Sequence, residues 1–352
     1  MDRFRLRCPI LVGVLLLIPT VGLPAAGLDT FSCPAAARNA GADTASRPSG
    51  SKLQVVTTVA PITSIVANVA GQAATVSGLV PEGVNSHTFE PKPSAAKLLS
   101  TTDVLFVNGL KLEDPTKELA DANLPKRAQL IELGTLTLRP NEYIYDFSFP
   151  KDGGKPNPHL WTNPPMAACY ARIAQSVLAK ADPANASVYR ANADAFVAKV
   201  DDLDRRMIAA TKTLAQGARK LLTYHDAYAY FAVHYGWEVI GAVQVSSFED
   251  PNPKEVVKLI RQVKQLRIPA VFGSEVFPSS VLAQISREAG VRYVDKLRDD
   301  DLPGAPGEAQ HSSLGLMKFD FVTMVSNLGG DARILEVFDP SDVATNSARY
   351  PQ

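Results

Sequence analysis

From Ala184 to Gln216 the chain contains neither glycine nor proline, while Pro183 and Gly217 bracket the stretch. Within it Phe196, Val200, Leu203, Met207 and Leu214 recur at helical intervals. That spacing places one apolar stripe along a single long helix. At 1.5 Å per residue such a helix runs roughly 50 Å, enough to span two lobes. A flexible hinge would need glycines here, so whatever lies on either side is joined by a rod.

Both sides read alike. Short β-branched runs at Leu53–Val59, Thr75–Val80, Val104–Val107 and Gln129–Leu133 alternate with helical patterns at 62–70, 94–100, 116–122 and 164–181. After the rod, strands at 220–224, 238–243, 270–272 and 292–294 alternate with helices near 227–235, 254–266 and 279–289. Strand–helix alternation implies parallel sheets covered by helices. The expected fold is α/β, with two lobes, each a four-stranded parallel sheet with flanking helices, joined by one long rigid α-helix. The lobes are assigned to 52–182 and 220–330, the connection to 183–219 and a C-terminal tail to 331–352.

Arg3, Arg5 and Arg7 precede an apolar run from Ile10 to Val21 that ends in small residues near Ala25 and Ala26. This is the pattern of a secretory signal, assigned to residues 1–26, and the run is too short to span a bilayer comfortably. Residues 27–51, rich in Ala, Gly, Ser, Pro and Asn, read as a flexible tether. Lys+Arg and Asp+Glu number 36 each. That balance argues against a nucleic-acid binder relying on a basic face. Cys8 falls in the signal and Cys33 in the tether. Cys169, in a helical pattern, is expected to be a small buried hydrophobe.

Five histidines carry the chemistry. His87 follows the second strand, His159 the fourth and His225 the fifth. Ligands of open α/β sheets bind outside the carboxyl ends of strands, so these three side chains can converge on one crevice. Neutral imidazoles there suit a borderline transition metal such as Zn²⁺. Asp295, directly after Arg292-Tyr293-Val294, is the expected carboxylate ligand, and Glu275, after Ser274, is the alternative or a supporting group. Asp299, Asp300 and Asp301 read as a solvated loop. His234 is expected to be structural or exposed, and His311 to lie in a loop at the surface, with the mouth of the cleft as the alternative.

These residues sit in Ser86-His87-Thr88-Phe89-Glu90-Pro91, Pro158-His159-Leu160-Trp161, Tyr224-His225-Asp226-Ala227-Tyr228 and Tyr293-Val294-Asp295. Taken in order, with the rod between the second and third, they resemble the metal-binding solute receptors of ABC transporters, the cluster A-I group that serves zinc, manganese and iron uptake. The resemblance covers nearly all of 53–330. It implies that His87, His159, His225 and Asp295 hold the ion in a cleft between the lobes. It also implies a non-enzymatic, monomeric receptor outside the cytoplasmic membrane, periplasmic or on the cell surface, that delivers its cargo to a membrane permease. Zinc-specific members often carry a His-rich loop, which residues 139–157 lack. Manganese-specific members tend to place Glu where this chain has His225. The residue that touches the metal weighs more, so Zn²⁺ is the expected cargo and Mn²⁺ the alternative. A zinc hydrolase and a metal-binding adhesin are the competing functions. Against the hydrolase, this chain has no His-Glu-x-x-His helix, and four ligands would close the coordination position such enzymes keep open.

Overall fold

The computed structural model describes residues 31–42, 50–244, 250–274, 279–345 and 348–351. The expected signal segment and Glu275 lie outside the described residues. After a short N-terminal helix, α1 (Ala35–Arg38), the first lobe runs β1 (Leu53–Thr57), α2 (Ala60–Ala70), β2 (Ala74–Gly78), α3 (Pro93–Leu99), β3 (Val104–Val107), α4 (Asp114–Asn123), β4 (Gln129–Glu132), α5 (Leu133–Thr137) and α6 (Pro164–Ala181). The rod is α7 (Ala186–Thr213). The second lobe follows as β5 (Lys220–Thr223), α8 (Ala229–Tyr235), β6 (Glu238–Ala242), α9 (Pro253–Leu266), β7 (Ala270–Ser274), α10 (Ser280–Ala289), β8 (Arg292–Leu297), α11 (Ser313–Asn327) and α12 (Arg333–Glu336).

Each lobe holds a four-stranded sheet, ordered β2-β1-β3-β4 in the first and β6-β5-β7-β8 in the second, and every pairing is parallel. The central strands β3 and β7 are buried throughout, as helices on both faces of a parallel sheet require. The two lobes thus repeat one topology, and both crevices open at the carboxyl ends of the strands.

A 28-residue α7 is about 42 Å long by its rise per residue. It begins after one 3₁₀ turn at Pro183–Asn185, because Pro183 fixes the chain direction there. Its buried stripe is Tyr189, Ala193, Phe196, Val200, Leu203, Met207 and Ala210. That stripe packs on α2, α6, α11 and α12. Every residue of α2 is buried, so this helix is a core element enclosed on all sides. One apolar cluster runs without a break from Ile62 and Val104 in the first lobe through Phe196 to Phe272 and Phe321 in the second. Opening the lobes as rigid bodies would break that packing. Scattering curves of metal-free and metal-loaded protein are therefore expected to nearly superimpose. A large domain closure on loading would contradict the rod.

The segment 31–42 departs from a tether. Cys33 is disulfide-bonded to Cys169 on α6, 136 residues away. Ala37 is fully buried, and Ser176 and Lys180 of α6 donate to the carbonyls of Ala40 and of Asn39 and Gly41. Cys169 is therefore half of a covalent staple rather than a packed thiol. At the other end, Arg349 pairs with β2, donating to Val76 O and accepting from Gly78 N. Among the described residues no helix is long and apolar enough to cross a membrane.

One turn sets up the crevice of the first lobe. Gly109, Leu110 and Lys111 all take positive φ, at 77°, 54° and 64°. Buried Glu113 supports this costly conformation by accepting from Asn108 N (2.7 Å), Gly109 N (3.0 Å) and the Thr58 hydroxyl (2.7 Å). Burial nevertheless pushes its carboxyl up to about 7. The Asn108 amide then donates to Pro158 O at 2.9 Å, fixing the backbone next to His159.

Candidate metal centre

His87 sits in a 3₁₀ turn at Ser86–Thr88, where Asn85 Oδ1 accepts from its backbone N–H at 2.9 Å. His159 immediately precedes a second 3₁₀ turn, Leu160–Thr162, and is fully buried. His225 lies two residues past the end of β5 and is also buried. The three Nε2 atoms converge: 3.2 Å from His87 to His159, 3.2 Å from His87 to His225 and 3.0 Å from His225 to His159.

Their other ring nitrogens fix the chemistry. His159 Nδ1 lies 2.9 Å from Asn157 Oδ1, and His225 Nδ1 lies 2.5 Å from Gln244 Oε1. An amide oxygen accepts only, so each Nδ1 carries the proton and each Nε2 presents a lone pair. Two bare nitrogens 3.0 Å apart repel unless something positive lies between them. All three imidazoles are held below the ordinary histidine value, chiefly by burial. The His225 charge adds to this at His87 and His159, whereas the Gln244 hydrogen bond and nearby carboxylates oppose it at His225. Neutral imidazoles are the form a metal ion needs.

The carboxylates are Asp299 and Asp300. With His159 they form a second cluster of potential ligand atoms. Asp299 Oδ2 is 3.6 Å from His225 Nε2 and has no hydrogen-bond partner, while its Oδ1 accepts from Ser274 Oγ at 2.7 Å. Asp300 Oδ2 faces the Ser86 N–H at 3.4 Å, and its Oδ1 is also unpartnered. Both residues are buried, and burial raises both carboxyls. The expectation of a solvated loop at Asp299–Asp301 is thus overturned.

The structure does not bring Asp295 to the histidines. β8 continues through Leu297, so Asp295 lies inside the strand, opposite Gly273, with its side chain exposed. The register shifts beside Gly273 and Ser274, and this irregularity delays the strand end and delivers Asp299 to the crevice instead. His234 pairs with Asp204 of α7 at 2.8 Å, a structural role. His311 is buried rather than superficial, 3.5 Å from Glu82 and edge-on to Tyr350.

Aromatic rings close the site. Phe149 lies 5.4 Å from the His87 ring and 5.7 Å from that of His159, and Trp161 lies 5.1 Å from His159. Trp161 Nε1 donates to Asp299 O at 2.7 Å, tying the His159 turn to the carboxylate loop. Phe149 belongs to a strap from the first lobe that reaches the second. Ser148 N donates to Asp226 Oδ2 (3.1 Å), Ser148 Oγ to Gln244 O (2.6 Å) and Asn157 Nδ2 to Asp226 O (2.7 Å).

A family model described as the periplasmic zinc-uptake complex component A matches residues 55–326. The chain belongs to this family. Relatives of this chain include a manganese-binding lipoprotein, MntA, of Halalkalibacterium halodurans, 28% identical over 81% of this chain and 92% of the relative. The iron-binding protein YfeA of Yersinia pestis is 28% identical over 79% of this chain and 85% of its own. Among solved structures, the periplasmic zinc-binding protein TroA of Treponema pallidum superposes with a TM-score of 0.71 at 23% identity, covering 79% of this chain and 99% of that one. A manganese-bound periplasmic protein of Candidatus Liberibacter asiaticus gives 0.70 at 22%, covering 79% and 100%. The paired parallel sheets and the long connecting helix are the fold these proteins share.

Proposed function

We infer that the protein is an extracytoplasmic receptor that captures one divalent transition-metal ion and passes it, as a single chain, to the membrane permease of an ABC transporter. Residues 1–26 serve export, and the lobes 52–182 and 220–330 enclose the ion. The observation that carries this reading is the convergence of three neutral imidazole Nε2 atoms beside the unpartnered Asp299 oxygen. Zinc–nitrogen bonds of about 2.0–2.1 Å in a tetrahedron hold the nitrogens about 3.3–3.4 Å apart. The present 3.0–3.2 Å separations need only a small outward adjustment.

Three imidazoles and one carboxylate favour zinc, since manganese prefers a set richer in oxygen. His87, His159, His225 and Asp299 are the proposed ligands, with Asp300 as the neighbouring carboxylate. A hydrolase is disfavoured, because a fourth ligand and the Phe149 roof leave no open position for water. The relatives are likewise named for binding metals rather than for catalysis. Elemental analysis after equilibration with equal zinc and manganese tests the reading. One zinc per chain is expected, and a metal-free protein would overturn it.

A further inference from the structure

Gln244 has no place in the metal shell, yet it is almost fully buried and its Oε1 lies 2.5 Å from His225 Nδ1. Its backbone is fixed by a continuation of the β5–β6 ladder: Val243 N donates to Thr223 O and Gln244 N to Tyr224 O, each at 2.9 Å. The side chain is therefore delivered to His225 by the sheet, not by a loop free to adjust. Gln244 O meanwhile accepts from Ser148 Oγ, in the strap whose Phe149 ring covers the other two histidines. One residue thus touches both the ligand of the second lobe and the closure supplied by the first.

We propose that Gln244 is the positioning residue of His225: its carboxamide oxygen holds that ring in the Nδ1–H form, aims Nε2 at the ion, and, being neutral, keeps affinity below what a carboxylate in the same place would give. This rests on the reading of His225 as a ligand. A metal-bound imidazole gains basicity from whatever accepts its other proton, and a carboxylate withdraws that proton more strongly than an amide. A carrier must release its cargo as well as capture it. A neutral acceptor at a buried ligand is the arrangement that leaves release possible.

The test uses three proteins: the native chain, Gln244→Leu and Gln244→Glu. In the metal-free state, ¹⁵N chemical shifts of His225 report which nitrogen carries the proton. The native chain and Gln244→Glu are expected to show the Nδ1–H form, and Gln244→Leu a mixture. Zinc affinity, measured by competition with a chelator, is expected to fall about 10–100-fold in Gln244→Leu. It should rise above the native value in Gln244→Glu. A leucine variant that keeps both tautomer and affinity overturns the proposal. So does a glutamate variant no tighter than the leucine one, since the loss would then be one of packing. If the native chain binds no zinc, the function reading fails, while the tautomer measurement still decides the role of Gln244.

Discussion

His159→Ala and His225→Ala are each expected to abolish tight zinc binding, with a loss well beyond the roughly 10–100-fold that follows removal of a supporting hydrogen-bond partner. Each substitution removes one of three converged ring nitrogens and leaves a void between buried rings. Among the described residues neither ring has a substitute imidazole nearby, because His234 is engaged with Asp204 and His311 lies against Glu82 and Tyr350. His234→Ala and His311→Ala should accordingly change zinc affinity little. Competition with a chelator of known strength measures all four, and native affinity in His225→Ala would remove that residue from the centre.

The second large effect is on stability. Removing the Cys33–Cys169 disulfide, as in a C33S/C169S double variant, is expected to cost about 2–5 kcal/mol, since a long loop of unfolded chain is released. The segment it holds has other anchors that soften the loss. Gln129 exchanges two hydrogen bonds with the backbone of Ala42, at 2.7 and 2.9 Å. Gly41 takes φ 87° where an added Cβ would lie 2.8 Å from Val177 Cα, a close approach only glycine permits. Denaturant midpoints of the native and double-serine chains measure the cost, and coincident midpoints would show the staple to be inert. None of the contacts of residues 31–42 given above involves a proposed ligand, so zinc affinity should survive. The disulfide also occupies the Cys33 sulfur, which cannot then carry a lipid.

The sequence was most legible where one physical pattern ran long enough to be unambiguous. The stripe of α7 and the alternation of strands and helices are such patterns, and the observed strand ends fall within a few residues of the expected ones. The three histidines, whose rings converge, were singled out because they follow strands, a rule of the fold rather than of any one residue. That Asp299 rather than Asp295 lies beside the histidines has a local reason. The apolar run stops at Val294 and polar Asp295-Lys296 follow, so the strand was expected to end there, yet it continues to buried Leu297 past a register shift. Asp299–Asp301 carry the composition of a solvated turn, and only the tertiary fold reveals that the opposite lobe buries them. The disulfide joins residues 136 positions apart, and nothing in the local pattern of either cysteine marks its partner. Asn157 and Gln244 escaped because carboxamides that accept from a histidine ring have no characteristic spacing.

The proposed seat of the ion is between the two lobes, on three imidazoles and the carboxylate of Asp299. An anomalous difference map of zinc-loaded crystals tests it directly. The expected result is a single strong peak about 2.0–2.2 Å from Nε2 of His87, His159 and His225 and from an Asp299 oxygen. A peak beside Asp295, or one that leaves out any of the three histidines, would contradict it.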